Sequence, residues 1–304
     1  MNKMASNPAM MMDLYELTMA NGYYLDEESR NTRVAFDVFF RRNPDQGGFS
    51  VFAGLEQIVD YLDTLHFDKE DVDYLRSLHQ FDERFLRYLE DFRFHGDVYA
   101  FPEGSVIYPG EPIITVVADI VEAQIIETEI LAQFNHQSLI ATKAARVKTA
   151  AGNDAVMEFG LRRAQGADAG TLGARAAVIG GCAGTSNVLC AKKYGVPALG
   201  THAHSWIMSF DSEYEAFETY ARLYPDNATL LVDTYDTLKS GVPNAIKVFT
   251  KLREEGKMPK KYGIRLDSGD LAYLSKQARK MLDDAGFPQA SICASSDLDE
   301  YLID

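Results

Sequence analysis

Of 304 residues, one is tryptophan and three are cysteine. Cys182, Cys190 and Cys293 are odd in number and show no metal-ligand spacing. That pattern excludes a disulfide framework and a cysteine-based zinc site, and it reads as buried thiols in a reducing compartment. Long apolar runs are also missing. No uninterrupted stretch of about 18 apolar residues occurs, so no transmembrane helix is expected. The opening "MNKMASNPAMMMDLYELTM" lacks the apolar core and cleavage site of a secretory signal. A cytoplasmic protein with a mobile start is expected. Basic residues are outnumbered, 30 Lys and Arg against 45 Asp and Glu, for a formal net charge of −15. Nucleic-acid and membrane-surface binders need a basic footprint, so neither partner is expected. A local cationic pocket for phosphate remains compatible with that balance.

What is present is ordinary for a globular protein, with 46% hydrophobic and 25% charged residues. The length exceeds what one compact core usually carries. Residues 1–143 mix helix and strand signals and are expected to form an N-terminal α+β domain. "GGFSVFAGLEQIVDYLDTL" turns from glycines into an amphipathic helix with Leu55, Ile58, Val59 and Leu62 on one face. "GDVYAFPEGSVIYPGEPIITVVADI" is strand-rich between Gly and Pro turns. Residues 123–151 read as one long helix. From residue 144 the pattern becomes regular, and 144–304 are expected to form an α/β barrel domain. Candidate strands are "AVMEFG", "AVIGGCAG", "PALGTHA", "TLLVDTY", "YGIRLDS" and "ASICASS". Helical stretches at 167–177, 187–194, 212–223, 244–254 and 271–285 alternate with them, implying a parallel sheet.

Almost every candidate strand ends in polar side chains: Glu158 and Arg162, Thr185 and Ser186, His202 and His204, Asp233, Arg265 and Asp267, Ser295 and Asp297. Chemistry at the C-terminal ends of successive strands favours an irregular TIM-like α/β barrel over a sheet with one switch point. Six strands do not close an eight-stranded barrel, so the chain is expected to be truncated at its C-terminal end.

Several clusters bear chemistry. His202 and His204 in "GTHAHSW" lie two apart. On an extended segment they would point the same way, yet no third ligand is near and no metal set is assigned. One of them reads as catalytic and the other as a strand-end polar residue. Asp233 in "LLVDTYDTL" can orient a histidine, and the alternative for it and for Asp236 is a helix cap. In "EFGLRRAQG", Phe159 can stack on a flat heterocycle and Arg162 can grip phosphate or carboxylate. The alternative is a core ring beside solvated arginines. Arg265 and Asp267 in "GIRLDSGDL" suit a phosphorylated sugar, or else form a salt bridge with a turn behind it. Small residues in "GCAGTSNVL" open a helix whose free N–H groups accept anions.

Taken in order, "MMDLYELTMANGYY", "FDVFFRRNP", "EFGLRRAQG", "GTSNVLCAKKYGVPALGTHAHSW", "LLVDTYDTL" and "GIRLDSGDL" resemble the nicotinate phosphoribosyltransferases, over nearly the whole chain. The resemblance implies transfer of phosphoribose from 5-phosphoribosyl-1-diphosphate to nicotinate, giving nicotinate mononucleotide and pyrophosphate for NAD biosynthesis. It implies ATP as co-substrate, coupled through a phosphohistidine at His204, with Mg²⁺ on the diphosphate and ATP. It also implies a homodimer with shared sites, helped by the N-terminal domain. By the same resemblance Asp233 hydrogen-bonds His204, and Phe159 stacks on the pyridine while Tyr15 of a neighbouring subunit closes its other face. Arg162 and Arg265 bind phosphate and carboxylate, and Asp267 contacts the ribose. Ser186 stands where nicotinamide-specific relatives carry an aspartate, which would repel a carboxylate. The family's 5′-phosphate loop is expected beyond "SSDLDEYLI". The alternatives are a nicotinamide or quinolinate phosphoribosyltransferase, and an inactive truncated homologue acting as a binding protein.

Overall fold

The structure, a computed structural model, describes residues 8–303. The expected mobile start falls on residues 1–7, outside the described residues. The chain divides into two compact units, the first ending at Ala198 and the second running from Leu199 to Ile303. The expected boundary at 143/144 falls inside a long helix, Glu127–Ala150.

Unit 1 contains α1 (Leu14–Leu25), α2 (Glu27–Arg30), β1 (Arg33–Val38), β2 (Ser50–Val51), α3 (Leu55–Thr64), α4 (Lys69–Ser77), α5 (Glu83–Glu90), β3 (Asp97–Ala100), β4 (Val106–Ile107), β5 (Ile114–Asp119), α6 (Ile120–Ile125), α7 (Glu127–Ala150), β6 (Met157–Glu158), α8 (Ala167–Ile179), β7 (Gly184–Thr185) and α9 (Val188–Tyr194). Unit 2 contains α10 (His204–Met208), α11 (Glu213–Leu223), β8 (Ala228–Leu231), α12 (Val242–Glu254), β9 (Tyr262–Leu266), α13 (Leu271–Asp284), β10 (Ser291–Ala294) and α14 (Glu300–Ile303).

In unit 1, β1, β5 and β3 form an antiparallel sheet with β5 in the centre. The alternation in "ITVVAD" places Ile114, Val116 and Ala118 in the core. That core gathers Phe52, Phe85, Phe92 and Phe134 from the surrounding helices and loops, each worth roughly 2–3 kcal/mol of apolar burial. On α3, Ile58 and Leu62 are buried, while Val59 is exposed. The one helix expected over 123–151 is two, α6 and α7, parted at Ile126.

Parallel ladders join β6 with β7 and run through the sheet β10-β9-β8. The β9 sequence "YGIRL" is buried through nearly its whole length, as a central parallel strand requires. Phe217, Phe249 and Phe287 cover this sheet within unit 2. Gly241, at the start of α12, packs so closely on the Val232 carbonyl that a Cβ would overlap it. The molecule is thus mixed α/β. Its sheets among the described residues are small, and none is closed.

Two expected strands differ. The first three residues of "AVIGGCAG" are helical and the next four are turn or loop, because α8 continues to Ile179 and leaves only Gly184–Thr185 as strand. Small residues let α8 approach α7 closely. A Cβ at Gly180 would meet the Ala141 carbonyl and the Ala144 side chain. "PALGTHA" makes a single parallel bridge, Thr185 with Ala198. Pro197 accepts from the Thr185 N–H at 3.0 Å but has no N–H to donate. No helix among the described residues is long and apolar enough to cross a membrane.

Candidate functional site

In unit 2 the polar side chains converge at the ends of β8 and β9. Asp233 follows β8 by two residues, and its side chain is almost wholly buried. One oxygen meets His204 Nε2 at 3.2 Å. The other accepts the Asp267 N–H at 3.0 Å and the Ser268 hydroxyl. An ionised carboxylate only accepts, so Nε2 of His204 carries the proton and Nδ1 keeps the lone pair. His204 is the first residue of α10, and its side chain is 39% exposed. Asp236 is a helix cap, accepting from the N–H groups of Leu238 and Lys239. Asp233 caps no helix.

The extended geometry that the histidine spacing presumes ends at Ala203, the residue before α10. His202 is 8% exposed, accepts the Leu231 N–H at 3.2 Å and packs edge-on against Tyr220. Burial pushes its pKa down to about 4, and the Arg265 charge adds to the effect. His202 therefore supports β8 as a neutral ring. An unfolded His202 titrates near the ordinary histidine value of 6.5. Its contribution to stability is complete above that pH and is lost as pH falls toward 4. Urea denaturation at pH 7 and pH 5 is expected to show a loss that a His202→Gln variant, still able to accept from Leu231, largely lacks. The full difference across the window is roughly 3 kcal/mol.

Arg265 and Asp267 are brought together, with Arg265 Nη2 to Asp267 Oδ1 at 2.7 Å. Arg265 also donates to the hydroxyls of Ser295 at 2.8 Å and Thr201 at 3.0 Å. Burial pushes the Asp267 carboxyl up, but Ser295 and Arg265 outweigh it and hold the group below its ordinary range. Ser268 and Thr201, which pin Asp233 and Arg265, went unsingled in the sequence. Ser268 read only as part of a turn, and a hydroxyl beside a charged strand end was the available signal.

In unit 1 the last pair of the β6–β7 ladder is Glu158 with Thr185. Phe159 and Ser186 follow directly, both half-buried. The Ser186 N–H donates to the Glu158 carbonyl at 2.9 Å, which fixes the two strand ends side by side. Arg162 is exposed and reaches the Phe159 carbonyl at 3.4 Å. Asn187 caps α9 by accepting from the Cys190 N–H. Tyr15, on α1, is 44% exposed and donates its hydroxyl to Glu127 at 2.8 Å. Burial and Glu127 push its pKa up to about 12. Cys182 and Cys190 are buried and Cys293 is half-buried. Among the described residues no group of three or more His, Cys, Asp or Glu side chains could hold a metal.

Residues 10–135 match the model of the nicotinate phosphoribosyltransferase N-terminal domain, and residues 155–292 match that of the nicotinate phosphoribosyltransferase family. The chain is 49% identical to a nicotinate phosphoribosyltransferase of Bacillus subtilis, over 96% of this chain and 58% of that protein. It is 49% identical to one of Mycobacterium tuberculosis, over 97% and 62%. The chain thus spans about three fifths of the length of these curated relatives. The crystal structure of human nicotinic acid phosphoribosyltransferase matches with a TM-score of 0.87 and 32% identity, over 96% of this chain and 69% of that one. A nicotinate-nucleotide pyrophosphorylase from Pyrococcus furiosus matches with a TM-score of 0.79 and 26% identity, over all of this chain and 71% of the other.

Proposed function

This chain belongs to the nicotinate phosphoribosyltransferase family, and on that premise we propose that it makes nicotinate mononucleotide and pyrophosphate from nicotinate and 5-phosphoribosyl-1-diphosphate, with ATP hydrolysis coupled through His204. The observation that carries the phosphoryl step is the pair of His204 Nε2 and Asp233 at 3.2 Å. It leaves Nδ1 nucleophilic and gives the ring's developing positive charge an anion to face.

Nδ1 attacks the γ-phosphorus of ATP. The N–P bond forms as the bond to the ADP oxygen breaks, and ADP takes the electron pair. Glycosyl transfer then proceeds at the ribose C1 through a state with positive charge on the sugar. The pyridine nitrogen is already a nucleophile, so the protein's task is placing charge and orienting reactants. Phe159 stacks on the pyridine, and Tyr15 of a second subunit covers its other face in a homodimer. Arg162 and Arg265 take phosphate and carboxylate, and Asp267 takes the ribose hydroxyls. Mg²⁺ bound with the diphosphate and ATP would balance the charge of the leaving pyrophosphate. The irregular α/β barrel of the family and a cytoplasmic setting belong to the same proposal.

Ser186 is the specificity residue of this reading. A neutral hydroxyl tolerates the carboxylate of nicotinate, and an aspartate would repel it. Ser186→Asp is expected to raise KM for nicotinate about a hundredfold or more, since juxtaposed like charges cost several kcal/mol. Steady-state kinetics with nicotinate, nicotinamide and quinolinate, with and without ATP, test the whole assignment. Product from nicotinate, stimulated by ATP, is expected. Preference for either other substrate overturns it, as does a protein that binds nicotinate without turnover.

A further inference from the structure

Glu158 has no role in the reaction described above, yet its carboxylate ties together the two loops that carry the pyridine contacts. One oxygen accepts the backbone N–H of Gly160, the residue after Phe159. The other accepts the Thr185 hydroxyl at 2.5 Å, from the residue before Ser186. The Thr185 hydroxyl in turn accepts the N–H of Asn187, the residue after Ser186, at 2.9 Å. The main chain closes the ring through the Ser186 N–H and the Glu158 carbonyl, at 2.9 Å.

Phe159 and Ser186 are therefore each bracketed by a hydrogen bond on either side, and every bracket leads to Glu158 or Thr185. The set extends outward through the Asn187 amide, which reaches the Gly170 carbonyl at 3.3 Å and the Thr171 hydroxyl at 3.4 Å on α8. Its donors to Glu158 are a backbone N–H and a hydroxyl, both neutral. A charged acceptor strengthens such bonds, and two oxygens on one rigid group hold two loops at a fixed separation. Thr185 is fully buried, and the Glu158 carboxylate is the acceptor that its hydroxyl reaches.

We propose that Glu158 is a positioning residue for the pyridine, holding the Phe159 ring and the Ser186 hydroxyl in one register, so that nicotinate affinity depends on a side chain that need not touch the substrate. The proposal rests on the nicotinate reading above. A misplacement of about 1 Å in a binding group is enough for a hundredfold effect. Glu158→Ala is expected to raise KM for nicotinate about 10- to 100-fold, with a smaller change in kcat. ATP hydrolysis measured without nicotinate should stay within about twofold, because it uses His204 and Asp233. Thr185→Val should shift KM in the same direction. The double variant should be no worse than Glu158→Ala alone, because both break one network. Glu158→Gln, which keeps one acceptor oxygen, should recover part of the affinity.

Thermal unfolding of each variant accompanies the kinetics. An unchanged KM in a folded Glu158→Ala protein overturns the proposal, as do additive effects of the two substitutions. A parallel fall of KM performance, nicotinate-free ATP hydrolysis and melting temperature also overturns it, by making Glu158 merely structural. A parent protein inactive with nicotinate removes the functional reading and this proposal together. An active parent with an indifferent Glu158→Ala variant removes this proposal alone.

Discussion

Replacing His204 with asparagine is expected to abolish ATP hydrolysis by roughly a thousandfold or more, while a slow transfer to nicotinate without ATP persists. The reason lies in Asp233. Its buried carboxylate spends one oxygen on the Asp267 N–H and the Ser268 hydroxyl, and the other faces His204 Nε2. That arrangement selects one tautomer and leaves Nδ1 as the nucleophile. Asparagine fills similar space but offers no ring nitrogen, so no N–P bond can form. Glycosyl transfer does not consume that bond, and the residues that hold pyridine and ribose are intact in the variant. The parent protein incubated with labelled ATP should carry phosphate that survives alkali and is released by acid, and the variant should carry none. Asp233→Asn should fall between the two, down about 10²- to 10⁴-fold, because an amide can hold the ring in the wrong tautomer. ATP hydrolysis at the parent's rate in the His204 variant would remove His204 from the reaction.

The sequence showed the residues of this cluster but not its wiring. The βα units from Ala228 to Ala294 were legible because short apolar runs such as "TLLV" alternate with helical stretches, and Asp270 and Ser212 cap the helices that flank the strands. "AVIGGCAG" was not, because a short apolar run has no period to separate strand from helix. Packing of α8 against α7 decided it. The two histidines looked equivalent by spacing. Only the fold buries His202 under Tyr220 and leaves His204 half-exposed beside Asp233. Ser268 and Thr185 each show in sequence as a hydroxyl at a polar strand end, but not what they bind, since their partners lie 35 and 27 residues away. Arg175 is a different case. A single arginine within "AGTLGARAAVI" interrupts a run of small and apolar residues, and that interruption marks a buried charge with a partner elsewhere.

Arg175→Met is expected to destabilise unit 1 by about 3–5 kcal/mol at neutral pH, a fall in melting temperature on the order of 10 °C. The Arg175 guanidinium is 10% exposed and meets Glu103 through two bonds, at 2.6 and 2.9 Å. It also bonds Gln137 at 3.2 Å and Glu56 at 2.5 Å, and lies 5.4 Å from the Tyr194 ring. The Glu56 side chain is half-exposed, so that bond adds little. The cost lies in Glu103, which also accepts the N–H groups of Gly54 and Leu55 at the start of α3. Burial pushes the Glu103 carboxyl up, but Arg175 and those N–H groups outweigh it and hold the group below its ordinary range. In the parent its contribution is therefore present at neutral pH and lost as pH falls through that range. Without Arg175, burial loses its main opponent and protonation relieves the stranded charge. The stability gap between parent and variant should accordingly narrow as pH drops from 7 toward 4, as urea denaturation at several pH values would read. Adding Glu103→Gln to the variant should restore part of the loss at pH 7, since the neutral amide needs no cation. A gap below about 1 kcal/mol, the level of an exposed pair, or one that keeps its size on acidification, would show that the buried pair contributes only packing.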